Sequence, residues 1–310
     1  MLPRMRGTWR NGPIAGLKRS CGKAGGHLLK GAERLAQMAG TGMPGRRPGR
    51  RMTPILVIGS SHVNAVGRAL SEAPDAAFAL LQMRASDLPK SAADARRVYA
   101  GYRPDMVALM IGGNHHHAAG LLEGPEPFDF ECARVPGVDT SRRIVSRREI
   151  RAALLATTEK ARLRILTARE YFPDATMTYV CSPPPVADSG HILRTLHNMR
   201  QSEGTIVARA GEDPKVSPAA IRLKIFYIQI DVFAEFCQGH GIDFIPPPQA
   251  ALDGSGFLAE PFRKGDPLHG NKLYGELVVR SLRDYQARIA ARRGGGWAQP
   301  AAAAAAAQTR

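Results

Sequence analysis

Cysteine is scarce in this 310-residue chain: Cys21, Cys132, Cys181 and Cys237 lie far apart and never in a C-x-x-C arrangement. That spacing excludes a zinc knuckle and offers no disulfide framework, so a reducing compartment, the cytoplasm, is the expectation. Long apolar runs are missing as well. None reaches the 18 or so residues of a membrane span, and the leading residues lack the continuous apolar stretch of a secretory signal. Acidic residues are the minority charge, 27 against 43 Lys and Arg, for a net charge of +16. The imbalance is local: residues 1–52 hold 12 basic residues and a single acidic one, Glu33. They account for +11, leaving +5 over the other 258 positions. The body is mildly basic, and nucleic-acid binding is not expected beyond non-specific contact by the leading segment.

That segment, ending in "GTGMPGRRPGRRM", is rich in Gly and Arg and cannot bury enough apolar surface to offset chain entropy, so residues 1–52 read as mostly disordered. Three roles stay open for it: a passive tail ahead of a start at Met43 or Met52, an organellar address, or a tether to nucleic acid or membrane. Residues 291–310, with an alanine run at 301–307, form a second low-complexity tail. Between them, residues 53–290 suit one α/β domain, and 44% apolar content suffices for a full core.

The body alternates strand and helix patterns. "TPILVIG", "AAFALLQM", "DMVALMIGGN", "ATMTYVCS" and "GIDFIP" read as five strands. Helices read between and after them, including a long one through "SRREIRAALLATTEKARLRILTAREYF", whose Ile150, Leu154, Leu155, Ala161 and Ile165 form a stripe. In "SPAAIRLKIFYIQIDVFAEFCQG", Ser217 suits the N-cap, Pro218 the first turn and Gly239 the stop. A last helix runs from about Asn271 to Arg292. This order predicts a three-layer α/β/α fold around a mostly parallel five-stranded sheet, with ligands outside the carboxyl ends of the strands.

Three marks fall at those ends. Strand one runs into Gly59, Ser60, Ser61 and His62, where a serine hydroxyl would be exposed at a strand-to-helix turn. Taken alone, either serine is best read as a helix cap. Strand three ends in Gly112, Gly113 and Asn114, glycines that admit close backbone approach and an amide donor, although such a triplet also serves as a plain turn. After strand five, "GDPLHGNKLYG" sets Asp266 three residues before His269. A carboxylate there could hold one imidazole nitrogen as N–H and leave the other to take a serine proton. Separately these marks are common; at strands one, three and five of one parallel sheet they meet over a single rim.

Together they resemble the GDSL-type, or SGNH, hydrolases, over roughly Thr53 to Tyr285. The resemblance implies a flavodoxin-like α/β/α fold and a serine esterase without metal or organic cofactor. It makes Ser61 the nucleophile, His269 the base and Asp266 its orienting carboxylate. Ser61 through its N–H and Asn114 are implied as oxyanion donors, with Gly112 shaping the loop. Two positions depart from the family pattern: Ser60 stands where Asp is usual, and "LLQMRASDLP" has no glycine to donate an oxyanion N–H, a part that could fall to Ala85 or Ser86. The substrate implied is a small-molecule or glycan-linked ester. Acyl transfer to a carbohydrate hydroxyl and a non-catalytic carbohydrate- or partner-binding module on the same fold are the alternatives.

Other histidines compete. His115, His116 and His117 suggest the polar rim of a pocket rather than a metal centre, since three consecutive side chains cannot easily converge on one ion. His62 reads as a packing or hydrogen-bonding residue. His191 and His197, with Arg194 and Arg200, read as a solvated helix face or else a lid or anion-binding wall. Pocket walls are expected from the insert after strand three and from residues 186–216.

Overall fold

Ile55–Gly59 forms a strand, β2, whose alternation decides the layering of the molecule. Ile55 and Val57 join one apolar cluster, Leu56 and Ile58 another, and all four are fully buried. Successive side chains of a central strand point to opposite faces, and both faces here are covered. β2 pairs in parallel with β3 (Phe78–Gln82) on one side and β5 (Met106–Met110) on the other. β8 (Thr176–Val180) and β9 (Asp243–Ile245) extend the sheet to the order β3-β2-β5-β8-β9, parallel throughout. These details come from a computed structural model that describes residues 51–52, 54–200 and 214–294, with side chains described for 54–196 and 214–291. The basic segment before residue 51, the tail after 294, and the side chains of His197 and Arg200 lie outside the described residues.

Parallel strands require connections that cross a sheet face; five long helices lie in those connections, and a sixth follows the last strand. Helices α1 (Val63–Glu72), α5 (Ser189–Arg200) and α7 (Lys272–Gly294) pack on the face of Ile55 and Val57. Helices α2 (Ala92–Tyr99), α4 (Arg147–Tyr171) and α6 (Ala219–Gly239) pack on the other. The result is the three-layer α/β/α architecture expected, with the strand order of flavodoxin-like sheets. Local signals account for two helix starts. Ser91 accepts from the Asp94 N–H to open α2, and Ser146 and Glu149 form a reciprocal capping box at α4.

Two details differ from the sequence expectation. Ser217 does not cap α6, which starts after Pro218. The Ser217 N–H instead donates to the Leu121 carbonyl at 3.1 Å, beside an antiparallel bridge between Leu122 and Val216, and its carbonyl accepts from the Arg222 guanidinium. On α4 the buried stripe takes Thr158 in place of Leu155. Burial of that threonine is tolerable because its hydroxyl donates to the Leu154 carbonyl at 2.7 Å.

The insert after β5 contains a short helix, α3 (His115–Gly120), and a parallel pair, β6 (Phe128–Asp129) and β7 (Arg143–Ile144). Phe130 and Val145 pack on α4 and α6, and a fully buried Lys224 from α6 reaches Asp129 at 2.7 Å. Lys224 also donates to the Gly137 carbonyl at 2.6 Å, while Asp129 accepts from the Phe130 and Asp139 N–H groups, so both ions are hydrogen-bonded on several sides. A further two-residue strand, β1 (Arg51–Met52), lies parallel to β4 (Tyr102–Arg103).

Helices α1 and α7 touch backbone to backbone. A Cβ on Gly275 of α7 would fall on the Ala65 carbonyl of α1, so no larger residue fits without parting the helices. Lys272 on Glu72, and Arg283 on Asp75 in the α1–β3 connection, brace the same contact from α7. The Gly275→Ala variant is expected to lose about 1–3 kcal/mol of stability by overpacking, read from urea or thermal unfolding. Gly254→Ala, where an added Cβ meets open space, serves as the control and should unfold like the parent.

Candidate active site

Gly59 pairs with Met110 at the last step of the β2–β5 register, so both chains leave the sheet at one level. In a sheet of this order the crevice opens between these two strands, where the connections diverge to opposite faces. Ser60 and Ser61 emerge from one, and Ile111 to Asn114 from the other.

Neither serine hydroxyl caps α1. The helix starts behind His62 without a side-chain cap, and the serines contribute only carbonyls, Ser60 to the Val63 N–H and Ser61 to the Asn64 N–H. The capping role that a serine commonly takes at such a turn is therefore not what is found. Ser61 Oγ lies instead 2.7 Å from His269 Nε2. On the far side of the ring, His269 Nδ1 donates to Asp266 Oδ1 at 2.8 Å. Burial pushes the Asp266 carboxyl up, but hydrogen bonds from His269, Lys264 and the Leu268 N–H outweigh it and hold the group well below the usual carboxylate range. An ionised carboxylate only accepts, so Nδ1 carries a proton, and in the neutral form of the ring Nε2 is left as acceptor for the serine O–H.

Asp266 and His269 owe their placement to a turn closed on itself. Arg263 pairs antiparallel with Gly270, the Lys264 N–H donates to the His269 carbonyl at 3.2 Å, and the Asn271 amide donates to the Pro261 and Arg263 carbonyls. The Leu268 and His269 N–H groups donate back to Asp266 Oδ1 at 2.9 and 3.0 Å. The carboxylate is thus aimed from within its own loop.

The opposite wall is the loop from Gly112 to Asn114. Gly112 adopts φ +77, a left-handed conformation that glycine alone takes at no steric cost. Gly113 passes between Ser182 and the His62 ring, where an added Cβ would sit 2.6 Å from the serine Cβ and 2.7 Å from the imidazole Nε2. Asn114 stands at the start of α3 but makes no side-chain cap bond, so local capping does not consume its amide. Ala85 and Ser86 lie exposed in the connection after β3.

A residue with no place in the sequence analysis holds this loop. Gln229, buried in α6, donates from Nε2 to the Gly113 carbonyl at 2.9 Å and accepts from the His116 N–H at 2.7 Å. His116 Nδ1 also lies 3.0 Å from the Gly113 carbonyl. The available signal was an amide residue inside the largely apolar stretch "IFYIQI", which sequence alone does not connect to a loop over a hundred residues away.

Two of the three consecutive histidines do not line a polar rim as expected. His116 and His117 are buried, their rings 3.8 Å apart, and His116 also packs on Phe226 of α6. The short α3 turns them inward because it lies against α6. His62 is buried too, its ring 4.9 Å from that of His269. Among the described residues no group of His, Cys, Asp or Glu is placed to hold a metal ion.

Burial keeps these rings neutral. It pushes His62 and His116 down to about 3 and His115 to about 4, and His117 falls well below the usual range for the same reason. In the unfolded chain each imidazole takes a proton near pH 6.5, whereas in the fold His62 and His116 do not until about pH 3 and His115 until about pH 4, with His117 shifted in the same direction. The unfolded state therefore binds more protons throughout that window, and stability falls as pH drops from 6.5 toward 4. The slope reaches up to about 1.4 kcal/mol per pH unit for each such ring. Asp266 acts in the same direction, but only at more acid pH. Urea midpoints measured from pH 7.5 to 4.5 should fall steadily below 6.5; a flat series would contradict neutral burial of the cluster.

No protein-family model matches the chain, and no curated protein matches it. Among solved structures, the chain is similar to a Streptococcus pneumonia protein assigned as a platelet activating factor, at 16% identity and a TM-score of 0.44, over 76% of this chain and 84% of that one. It is similar to the periplasmic domain of a Salmonella ser. Paratyphi A lipopolysaccharide acetyltransferase at 14% identity and a TM-score of 0.39, over 77% and 84% of the two chains. It is also similar to a GDSL-like lipase from Bacteroides thetaiotaomicron at 10% identity and a TM-score of 0.40, over 84% of this chain and 97% of the other.

Proposed function

We propose that this protein is a serine hydrolase of the SGNH, or GDSL, type, acting on carboxylic esters with acyl or acetyl groups. The observation that carries the reading is the unbroken chain of hydrogen bonds from Ser61 through His269 to Asp266, at 2.7 and 2.8 Å, between residues 208 positions apart in sequence. A serine hydroxyl is a weak nucleophile until a base takes its proton, and this arrangement supplies both the base and the group that orients it.

In the first step Ser61 Oγ bonds to the ester carbonyl carbon while its proton passes to His269 Nε2. The carbonyl π electrons move onto oxygen, and the oxyanion is met by the Ser61 N–H and the Asn114 amide, with Gly112 setting the path of the loop. Asp266 stabilises the imidazolium. Collapse of the adduct re-forms the carbonyl and breaks the bond to the alcohol, which leaves with the proton from His269. Water then attacks the acyl-serine, gives a proton to His269 and releases the carboxylic acid as Ser61 recovers its hydrogen. No resident cofactor enters these steps. The substrate is a small-molecule or glycan-linked ester, and the free thiols Cys132, Cys181 and Cys237 fit action in a reducing compartment such as the cytoplasm.

A fluorophosphonate should label the full chain at a single residue, Ser61, and p-nitrophenyl acetate serves as a short ester for turnover. Ser61→Ala and His269→Ala should each lose on the order of 10⁶-fold in kcat, since groups acting as one unit are not additive. Asp266→Asn should lose less, about 10⁴-fold. Ser60→Ala should keep most labelling and turnover, because the Ser60 hydroxyl is not the one against His269. Wild-type turnover or labelling by Ser61→Ala would overturn the reading, and a non-catalytic binding module would replace it.

A further inference from the structure

The Asp266 carboxylate divides its oxygens between two partners. Oδ1 accepts from His269 Nδ1 and from two backbone N–H groups, whereas Oδ2 faces the Lys264 ammonium at 3.0 Å. The lysine is built into the turn. Its N–H donates to the His269 carbonyl, and its neighbour Arg263 pairs with Gly270, so lysine and histidine stand on facing arms. Its side chain is 30% exposed beside a carboxylate that is 14% exposed, so water screens the pair only in part.

Resting on the serine-hydrolase reading above, we propose that Lys264 is a positioning residue for the Ser61–His269–Asp266 chain. Its ammonium holds the second carboxylate oxygen, keeps the first turned to His269, and offsets part of the negative charge that favours the imidazolium. An unopposed carboxylate against His269 would keep the ring protonated to higher pH; a cation across the carboxylate shifts the balance toward the free base. Other titratable groups facing His269 are His62 from the start of α1 and His117 from α3, both kept neutral by burial. Arg222, which acts on His117, is held by the Ser217, Val186 and Ala187 carbonyls. Asp266, with Lys264 on its second oxygen, is therefore the charged pair placed against the base.

The test follows the rate of fluorophosphonate labelling of the full chain from pH 5 to 9, a readout that needs no knowledge of the natural ester. Lys264→Met and Lys264→Gln should move the acid limb to higher pH by about half a unit to one unit, equivalent to labelling about three- to tenfold slower at a pH on that limb. Lys264→Arg should restore the parent profile. An unmoved limb in both neutral variants, with or without a uniform loss of rate, would reduce Lys264 to a structural contact and overturn the proposal. Ser61→Ala is run in parallel: persistent labelling there would remove the hydrolase reading itself, whereas an unlabelled Ser61→Ala beside an unmoved Lys264→Met limb removes only the role of the lysine.

Discussion

The backbone contact between α1 and α7 is the constraint on which the site depends. Ser61 opens the first of these helices and His269 lies just ahead of the second. The distance between them is therefore set by how closely the two helices approach. Gly275 against the Ala65 carbonyl lets the two backbones touch, and the Lys272–Glu72 and Arg283–Asp75 pairs oppose sliding. Exposed ion pairs of this kind contribute little each. The close packing supplies the rigidity, and a hydrogen bond of 2.7 Å between a hydroxyl and an imidazole tolerates little play in it.

Helix α6 plays the complementary part on the other face. It is buried nearly all round, yet Arg222, Lys224 and Gln229 sit within it at 2%, 0% and 1% exposure. Each reaches a different segment: Arg222 the carbonyls at 186, 187 and 217, Lys224 the insert through Asp129, and Gln229 the Gly113 loop. Burying such groups costs several kcal/mol unless their hydrogen bonds are met, so the segments they hold are confined to arrangements that meet them. Burial alone pushes Arg222 down to about 10, still far above neutrality, so the helix carries a permanent charge behind the site. Loops that would otherwise be variable surface connections are tied to the middle of the fold in this way.

The electrostatic character of the site follows from the same packing. Histidines surround His269, but the neighbours are desolvated and uncharged, while Asp266 is ionised because several donors converge on it. One imidazole in the cluster is thereby left with a hydrogen-bonded carboxylate on one nitrogen and a hydroxyl on the other. Equal chemistry in sequence becomes unequal chemistry in space through burial and partner alone.

Short continuous apolar runs in "ILVIG" and "MVALM", crossover-length helices between strands, and the punctuation around them were enough to read a parallel α/β/α fold from the chain itself, because runs of that length suit strands buried on both faces. The strand-end rule points Ser61, Asn114 and Asp266-x-x-His269 to one rim. Tertiary structure decided what spacing cannot express. Which of two adjacent serines meets His269 depends on the turn out of β2 and the seating of α1 on α7. The start of α6 moved off Ser217 because that residue pairs with Leu121 instead, and Thr158 entered the α4 stripe because a carbonyl satisfies its hydroxyl. The inward face of His116 and His117 and the Gln229 clamp join groups through packing or bonds across the fold, and no local pattern in the chain encodes such pairings; the Lys264 contact is local, but it depends on how the turn from Arg263 to Gly270 closes. Sequence determined the kind of sheet and the rim where chemistry would gather; only the packing of helices on that sheet determined which atoms touch there.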